Sequence, residues 1–502
     1  MFQDAGARAW LWSAAGAAAV IVLHIPSFAH RLMDGDEAVY GTIAALMNQG
    51  GRLYADGGVD NKPPGIYWTY AATFDLFGRY QMTAIHAVEL AVIAGTCAVL
   101  VAIGWTISRR RAGIVAAILY GVLSAAGNPN LLAANAEVFM ALPLTAAFLM
   151  LLRRQWLWAA ALMVAGGAFK QVAGVEVLLL PAGLLLLEPR AAWLRATVMF
   201  AGGIVLGLLV GAVALALTGS IPGFWRWAIQ TLVGYASQNW TPDNIWSRAQ
   251  GSLVPFVLYG FVPWLAAIAF ITRWRALTPA EKLAVAWFGV SLLGSLAGGH
   301  WAWHYFIQVM PSLGLLAGLG IERALEWQQA RRWVAAAALL GVVIPALYWF
   351  DYDMGADPLT FNWSPPIAQH QLVADYISAH SQPGDRIFVW GVWPALYVES
   401  DRVMATRFPG FLRGFPRTSG LPPNNTSGLP PNNWDTAPDV WPALLTDLER
   451  NPPALIVDTA AAGWSDFSRY PMSDYPVLAQ YVAAHYRQVA TVDGVVIYAR
   501  IS

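Results

Sequence analysis

ATVMFAGGIVLGLLVGAVALALT, residues Ala196 to Thr218, carries no charged side chain and only two threonine hydroxyls. A helix of about 20 such residues crosses the ~30 Å hydrocarbon core of a bilayer. It also satisfies its own backbone donors and acceptors, which lipid cannot do. Runs of this kind recur as far as residue 350. Eleven spans are expected, at roughly 9–29, 82–107, 112–127, 135–152, 155–169, 172–188, 196–218, 251–272, 281–298, 303–320 and 333–350. The fold class is a polytopic α-helical membrane protein.

Composition points the same way. Hydrophobic residues make up 57% of the chain and charged residues 12%, about half the charge of an ordinary soluble domain. A soluble globular enzyme is excluded. The 25 tryptophans suit many crossings at headgroup level. A net charge of zero gives nucleic acid nothing to bind. The single Cys97 rules out an intramolecular disulfide framework or a thiolate cluster and reads as a small buried hydrophobe. Ser27-Phe28-Ala29 has the small-x-small pattern of a signal cleavage site, but Arg8 is the only basic residue before it and Asp4 offsets that charge. The segment reads as the first transmembrane helix.

Charge placement sets the orientation. With the N-terminus in the cytoplasm, the inner turns hold Arg109, Arg110, Arg111, Arg153, Arg154, Arg190, Arg195, Arg273, Arg275, Lys282, Arg323, Arg331 and Arg332, and the short outer turns only Lys170. That asymmetry is the positive-inside pattern of a bacterial inner membrane. An odd number of spans puts the tail outside. Two domains follow: residues 1–350 in the membrane, and 351–502 as a small extracytoplasmic α/β domain. In the tail, Arg386–Trp390 and Ala454–Asp458 read as buried strands. Leu372–His380 and Trp441–Arg450 read as helices, and Asp493-Gly494 as a hairpin turn. The octapeptide Thr418–Asn425 repeats at once as Thr426–Asn433, a proline-rich solvated loop with no chemistry attached.

Two outer loops are long. The second, about 219–250, contains Ile221–Trp227, aromatics around Arg226 that suit an interfacial helix. The first carries the chemistry. It reads Asp34-Gly35-Asp36-Glu37-Ala38-Val39-Tyr40, then Leu53-Tyr54-Ala55-Asp56, then Asn61-Lys62-Pro63-Pro64-Gly65-Ile66-Tyr67. Asp36 and Glu37 lie where the first helix leaves the bilayer. A carboxylate in that partly dry layer is a better base. Lys62 follows on the same side, stiffened by two prolines. A fixed cation beside a carboxylate could hold a lipid phosphate while the carboxylate handles a hydroxyl. A polar loop cap with a snorkelling lysine is the plainer alternative, and Asp34 is read as a solvated loop charge.

This ordered set resembles the first outer loop of the GT-C glycosyltransferases, closest to the branch of protein O-mannosyltransferases and the lipid A aminoarabinose transferase. The resemblance implies a sugar taken from a polyprenyl-phosphate carrier on the outer face of the membrane. It places the catalytic aspartate on Asp36, an acidic neighbour on Glu37 and a donor-phosphate lysine on Lys62, with Tyr40 in the acceptor or sugar site. Val39 and Asn61 stand where the aminoarabinose branch has Arg and Glu, which argues against that particular substrate. Glu137 opens the fourth span in Ala134-Asn135-Ala136-Glu137. It either orients acceptor or sugar, as the family implies, or complements a helix N-terminus. His300, His304 and Tyr305 open the tenth span. The two histidines, four apart, could share a helix face. The family resemblance implies phosphate contact by His304 and Tyr305, with an interfacial aromatic belt as the alternative. Lys170 is a snorkelling lysine or a second phosphate ligand, and Arg226 and Arg248 are weaker candidates of that kind. Arg407 in the tail is read as a surface charge.

The expected reaction is an inverting transfer to a hydroxyl of a glycan, lipid or protein acceptor. No obligatory metal is expected, although a divalent ion stays open. The different-class alternative is a transporter or flippase of a lipid-linked sugar. That would hold ionisable groups near the bilayer midplane, whereas Asp36, Lys62, Glu137, Lys170 and His304 all fall at expected outer ends. A third reading makes the tail a binding module on a membrane anchor.

Overall fold

The structure is a computed structural model that describes residues 20–125, 128–230, 242–326, 368–409 and 440–501, with isolated positions at 18 and between 332 and 344. The first part of the first expected span, most of the eleventh and the duplicated octapeptide lie outside the described residues. Among the described residues the longer helices are, in chain order, α1 (Gly35–Met47), α2 (Gly65–Phe77), α3 (Met82–Thr106), α4 (Arg110–Leu123), α5 (Ala136–Leu152), α6 (Trp156–Gly167), α7 (Leu179–Leu187), α8 (Trp193–Leu217), α9 (Phe261–Ile271), α10 (Pro279–Ala297), α11 (Met310–Leu325), α12 (Ala368–Ala379), α13 (Val440–Arg450) and α14 (Pro476–His485). The described residues divide into two compact units. One comprises the described parts of Met1–Met33, Ile85–Ala212 and Asn239–Trp363, and the other those of Asp34–Ala84, Val213–Gln238 and Ser364–Ser502.

The first unit is helical. Among the described residues three helices are long and apolar enough to cross a membrane: α3, the stretch Arg190–Leu217 that ends in α8, and α10. A fourth candidate is the pair Ile245–Tyr259 and Phe261–Ile271, bent by 74°. Other expected spans are broken by tighter pieces. The 3-10 segment Gln171–Leu178 precedes α7, and Trp303–Gln308 precedes α11. A span-length apolar run therefore does not always appear as one span-length α-helix.

Small residues let these helices touch. A Cβ on Gly318 would lie 2.4 Å from the Ala112 carbonyl, and one on Gly314 would lie 3.0 Å from that of Ala116. Gly314 and Gly318 face Ala112 and Ala116, so α11 and α4 meet with small residues at matching four-residue spacing. Glu281 fastens the ends of these helices. It completes a capping box with Thr278 at the start of α10. Its two oxygens accept from Arg323 at 2.9 and 2.8 Å, and Arg109 Nε lies 3.4 Å away.

The second unit is mixed. Its sheet runs β2-β1-β3-β5-β4. The strands are β1 (Arg386–Trp390), β2 (Val403–Met404), β3 (Leu455–Asp458), β4 (Tyr486–Val492) and β5 (Val495–Arg500). β1 pairs in parallel with β2 and β3, and β5 lies antiparallel to β3 and β4. The expected strands and the Asp493-Gly494 turn are in place; β2 is too short to leave a period in the sequence. The long segment between the first two expected spans is packed into this core. Val59 is buried in one cluster with Phe388, Trp390 and Phe408, and its N–H donates to the Arg407 carbonyl at 3.0 Å. Arg407 is not the surface charge expected. Its guanidinium grips Asp447 on α13 with two bonds of 2.8 Å.

The α4–α11 contact makes a direct prediction. Gly318→Val forces branched carbons into the Ala112 carbonyl, and overpacking of this kind costs about 1–3 kcal/mol. Detergent-solubilised protein should melt several degrees lower. Gly211→Ala, which meets nothing within 4 Å, should leave the melting point unchanged.

Candidate active site

The site residues of the second unit are posed by α1. Asp34 caps this helix: its backbone is extended and its carboxylate accepts from the Glu37 N–H at 3.0 Å. Asp34 is thus a cap and not a solvated loop charge. Asp36 and Glu37 fall in the first turn, where the helix dipole favours negative charge. They face apart, as neighbours on a helix must. Glu37 is fully buried, while the Asp36 side chain is 15% exposed. Lys62 Nζ lies 3.4 Å from Asp36 Oδ2, and the Tyr40 hydroxyl donates to that oxygen at 3.4 Å. The ammonium sits 5.7 Å from the Tyr40 ring centroid.

The motif tyrosines explain the spacing of the motif. Tyr54 donates to the Lys62 carbonyl at 2.6 Å, and Tyr67 donates to Asp60 at 2.8 Å. Their rings meet edge to face with centroids 6.2 Å apart, and Tyr67 meets Tyr40 likewise at 5.8 Å. Three separated tyrosines thus form one wall that fixes the backbone of Lys62 relative to α1. Tyr54 adopts the left-handed region at φ 63°, a strained setting for a residue with a side chain. Burial, with the Asp60 charge adding to it, raises the Tyr54 and Tyr67 phenols well above their ordinary range. Both therefore stay neutral donors. Sequence reasoning missed Asp60, whose Oδ1 also accepts the Asn61 N–H at 2.7 Å. Asp56, by contrast, bonds locally, closing the Arg52–Asp56 turn.

The first unit brings together Glu137, Lys170, His304 and Tyr305. Glu137 lies in the first turn of α5, and Lys170 is the cap residue of the Gln171–Leu178 segment. Both are buried and form an ion pair. His304 Nε2 lies 3.7 Å from the same Glu137 oxygen. The Lys170 ammonium sits 3.1 Å from the Tyr305 ring centroid. Lys170 is therefore not a snorkelling lysine, and Glu137 does more than complement a helix end. His300 and His304 do not share a helix face. Trp301 takes the left-handed region at φ 48°, so the helical segment begins only at Trp303. Both histidines still flank Tyr305, with ring centroids 5.9 and 5.0 Å from it. Arg248 serves the same turn, donating to the Gly299 carbonyl at 2.8 Å. Arg226 instead stacks on Trp227, 4.7 Å from its ring centroid. The segment Ile221–Gln230 around it is helical, as expected. A further buried group went unread in the sequence: Ser291 on α10 donates to Glu176 at 2.8 Å, tying α10 to the segment that Lys170 opens.

No family model matches the chain, and no curated protein matches it by sequence. Solved structures do. ArnT from Cupriavidus metallidurans bound to undecaprenyl phosphate superposes at TM-score 0.62 with 15% identity, covering 98% of both chains. The Archaeoglobus fulgidus oligosaccharyltransferase complexed with zinc and sulfate gives TM-score 0.55 and 12% identity, over 97% of this chain and 73% of that one. The oligosaccharyltransferase AglB from the same organism, with an inhibitory peptide and a dolichol-phosphate, gives 0.50 and 11%, over 97% and 74%. At such identities the likeness is one of fold, and the chain has the fold of the GT-C membrane glycosyltransferases.

Proposed function

We propose that this chain transfers a sugar from a polyprenyl-phosphate donor to an acceptor hydroxyl on the outer face of the bacterial inner membrane, with inversion. The observation that carries this reading is the Asp36–Lys62 pair, held by a wall of motif tyrosines in a chain of GT-C fold. The lipid phosphates in the ArnT and AglB structures support the donor class. Asp36 takes the proton from the acceptor hydroxyl as its oxygen attacks the anomeric carbon. The bond from that carbon to the phosphate oxygen breaks, and the polyprenyl phosphate leaves with the electron pair. Its charge calls for fixed cations and not for a general acid. Lys62 is the cation assigned to that phosphate. Lys170, His304, Tyr305 and His300 are assigned to the donor phosphate as well, with Glu137, Glu37 and Tyr40 assigned to sugar or acceptor. The membrane domain spans residues 1–350 and crosses eleven times, and residues 351–502 lie on the outer face.

Asn at position 36 keeps the shape of the carboxylate and removes the proton acceptor. Asp36→Asn should lose about 10²–10⁴-fold in turnover with donor affinity and melting point preserved. Glu37→Gln, assayed beside it, should weaken acceptor use and leave the proton step intact. If Asp36→Asn turned over normally while Glu37→Gln did not, the base would be the neighbour. If neither mattered, the transferase reading would fail.

Lys62→Ala removes a charge-assisted contact worth about 1.5–3 kcal/mol, so donor affinity should fall roughly tenfold to a hundredfold. An unchanged donor Kd in a binding assay would take Lys62 out of the site.

An enzyme reporter fused after Tyr352 should read as extracytoplasmic, because the basic residues of the short turns lie almost entirely at the opposite end of the spans. A cytoplasmic signal would overturn the span count.

A further inference from the structure

Within the first unit, a cavity of about 560 Å³ opens at the end of α6 away from Lys170, lined by Arg154, Trp156, Trp158, Glu188, Arg195 and Met199 among others. Its floor is a fixed frame. Arg154 stands in the tight turn between α5 and α6, its backbone left-handed at φ 57°. Glu188, which ends α7, accepts from the Trp156 indole at 3.1 Å, while its carbonyl accepts from the Trp193 indole at 3.2 Å. The Glu188 side chain is 9% exposed, whereas that of Arg154, 4.0 Å away, is 58% exposed. Arg154 therefore keeps most of its guanidinium for something else. Arg195 stands exposed on α8, and among the described residues it makes no ion pair.

The wall beside these charges is apolar and open. α8 belongs to the longest membrane-length helix, yet Leu194 is 78% exposed, Val198 60% and Met199 42%. Trp158 on α6 is 55% exposed. A surface of this kind faces acyl chains. The cavity thus joins two guanidinium groups and one carboxylate, a balance of one positive charge, to a lipid-facing apolar strip. Basic pockets between membrane helices suit anionic headgroups, and a guanidinium fork matches phosphate oxygens.

We propose that this cavity binds the headgroup of a singly anionic glycerophospholipid of the phosphatidylglycerol class. The phosphodiester lies between Arg154 and Arg195, a headgroup hydroxyl donates to Glu188, and the acyl chains run along Val198 and Met199. On the topology proposed above, this lipid belongs to the inner leaflet, away from the transfer chemistry.

The test is native mass spectrometry of the full-length protein titrated with phosphatidylglycerol, phosphatidylcholine or inorganic phosphate. The wild type should retain phosphatidylglycerol in preference to phosphatidylcholine. Arg154→Ala with Arg195→Ala should weaken that retention about tenfold or more, the loss expected for charge-assisted contacts. Arg153→Ala with Arg190→Ala removes the same charge from exposed neighbours that do not line the cavity, and should change nothing. If the alanine pair fails to insert, Arg154→Lys with Arg195→Lys keeps the charge, loses the fork and should still bind less. Equal losses from both alanine pairs would mean general attraction of basic turns to anionic lipid and would overturn the site. So would full retention in the lysine variant, or displacement of the lipid by millimolar inorganic phosphate, which would mark a site for free anions.

Discussion

Glu137 and Lys170 are both withdrawn from water, and neither charge is tolerable there without the other. An isolated buried charge costs several kcal/mol, and removing one partner of such a pair leaves that cost behind. The pair therefore fixes which segments must meet. It holds the start of α5 against the start of the Gln171–Leu178 segment and draws in His304 and Tyr305 from the chain ahead of α11. The same logic recurs at the far end of α11, where Glu281 gathers Arg323 and Arg109. In a protein whose helices find no hydrophobic reward for leaving lipid, close packing of small residues and charge pairs must select the partners.

The loop that carries Asp36 and Lys62 obeys a related rule with a different result. Asp36 and Lys62 are paired but not sealed, with side chains 15% and 12% exposed. Their separation of 3.4 Å is long for a charge-assisted bond. Such a pair keeps part of both charges within reach of the surroundings. Glu137 and Lys170 are far less accessible, at 1% and 6%. The two pairs are chemically alike and differ in how closed they are.

Much of this was legible in the residues. The apolar runs announce membrane helices, and Asp36, Tyr40 and Lys62 stand at a spacing that the fold indeed brings together. Strands β1 and β3 and the Asp493-Gly494 turn follow from β-branched runs and turn chemistry. What stayed hidden depends on long-range contact. Asp60 has no flanking pattern to mark it, and its importance comes from Tyr67. Arg407 looked like a surface charge because Asp447, its partner, is forty positions away. The helical pairing of His300 with His304 failed because one left-handed residue, Trp301, is enough to break the period. Lys170 read as a snorkelling side chain because its partner, Glu137, belongs to another helix.

The docking of Val59 into the core of the tail has an evolutionary consequence. The segment that carries Asp36 and Lys62 and the C-terminal sheet share one interior, with Val59 among Phe388, Trp390 and Phe408. Arg79 to Asp401 and Gln49 to Arg386 stitch the same two segments from outside. A substitution in either segment is therefore screened by the other, and the two must drift as one sequence. Recombination between distant relatives would succeed only when residues 34–84 travel with 364–502. A swapped tail alone would arrive without the loop residues that its core was shaped to receive.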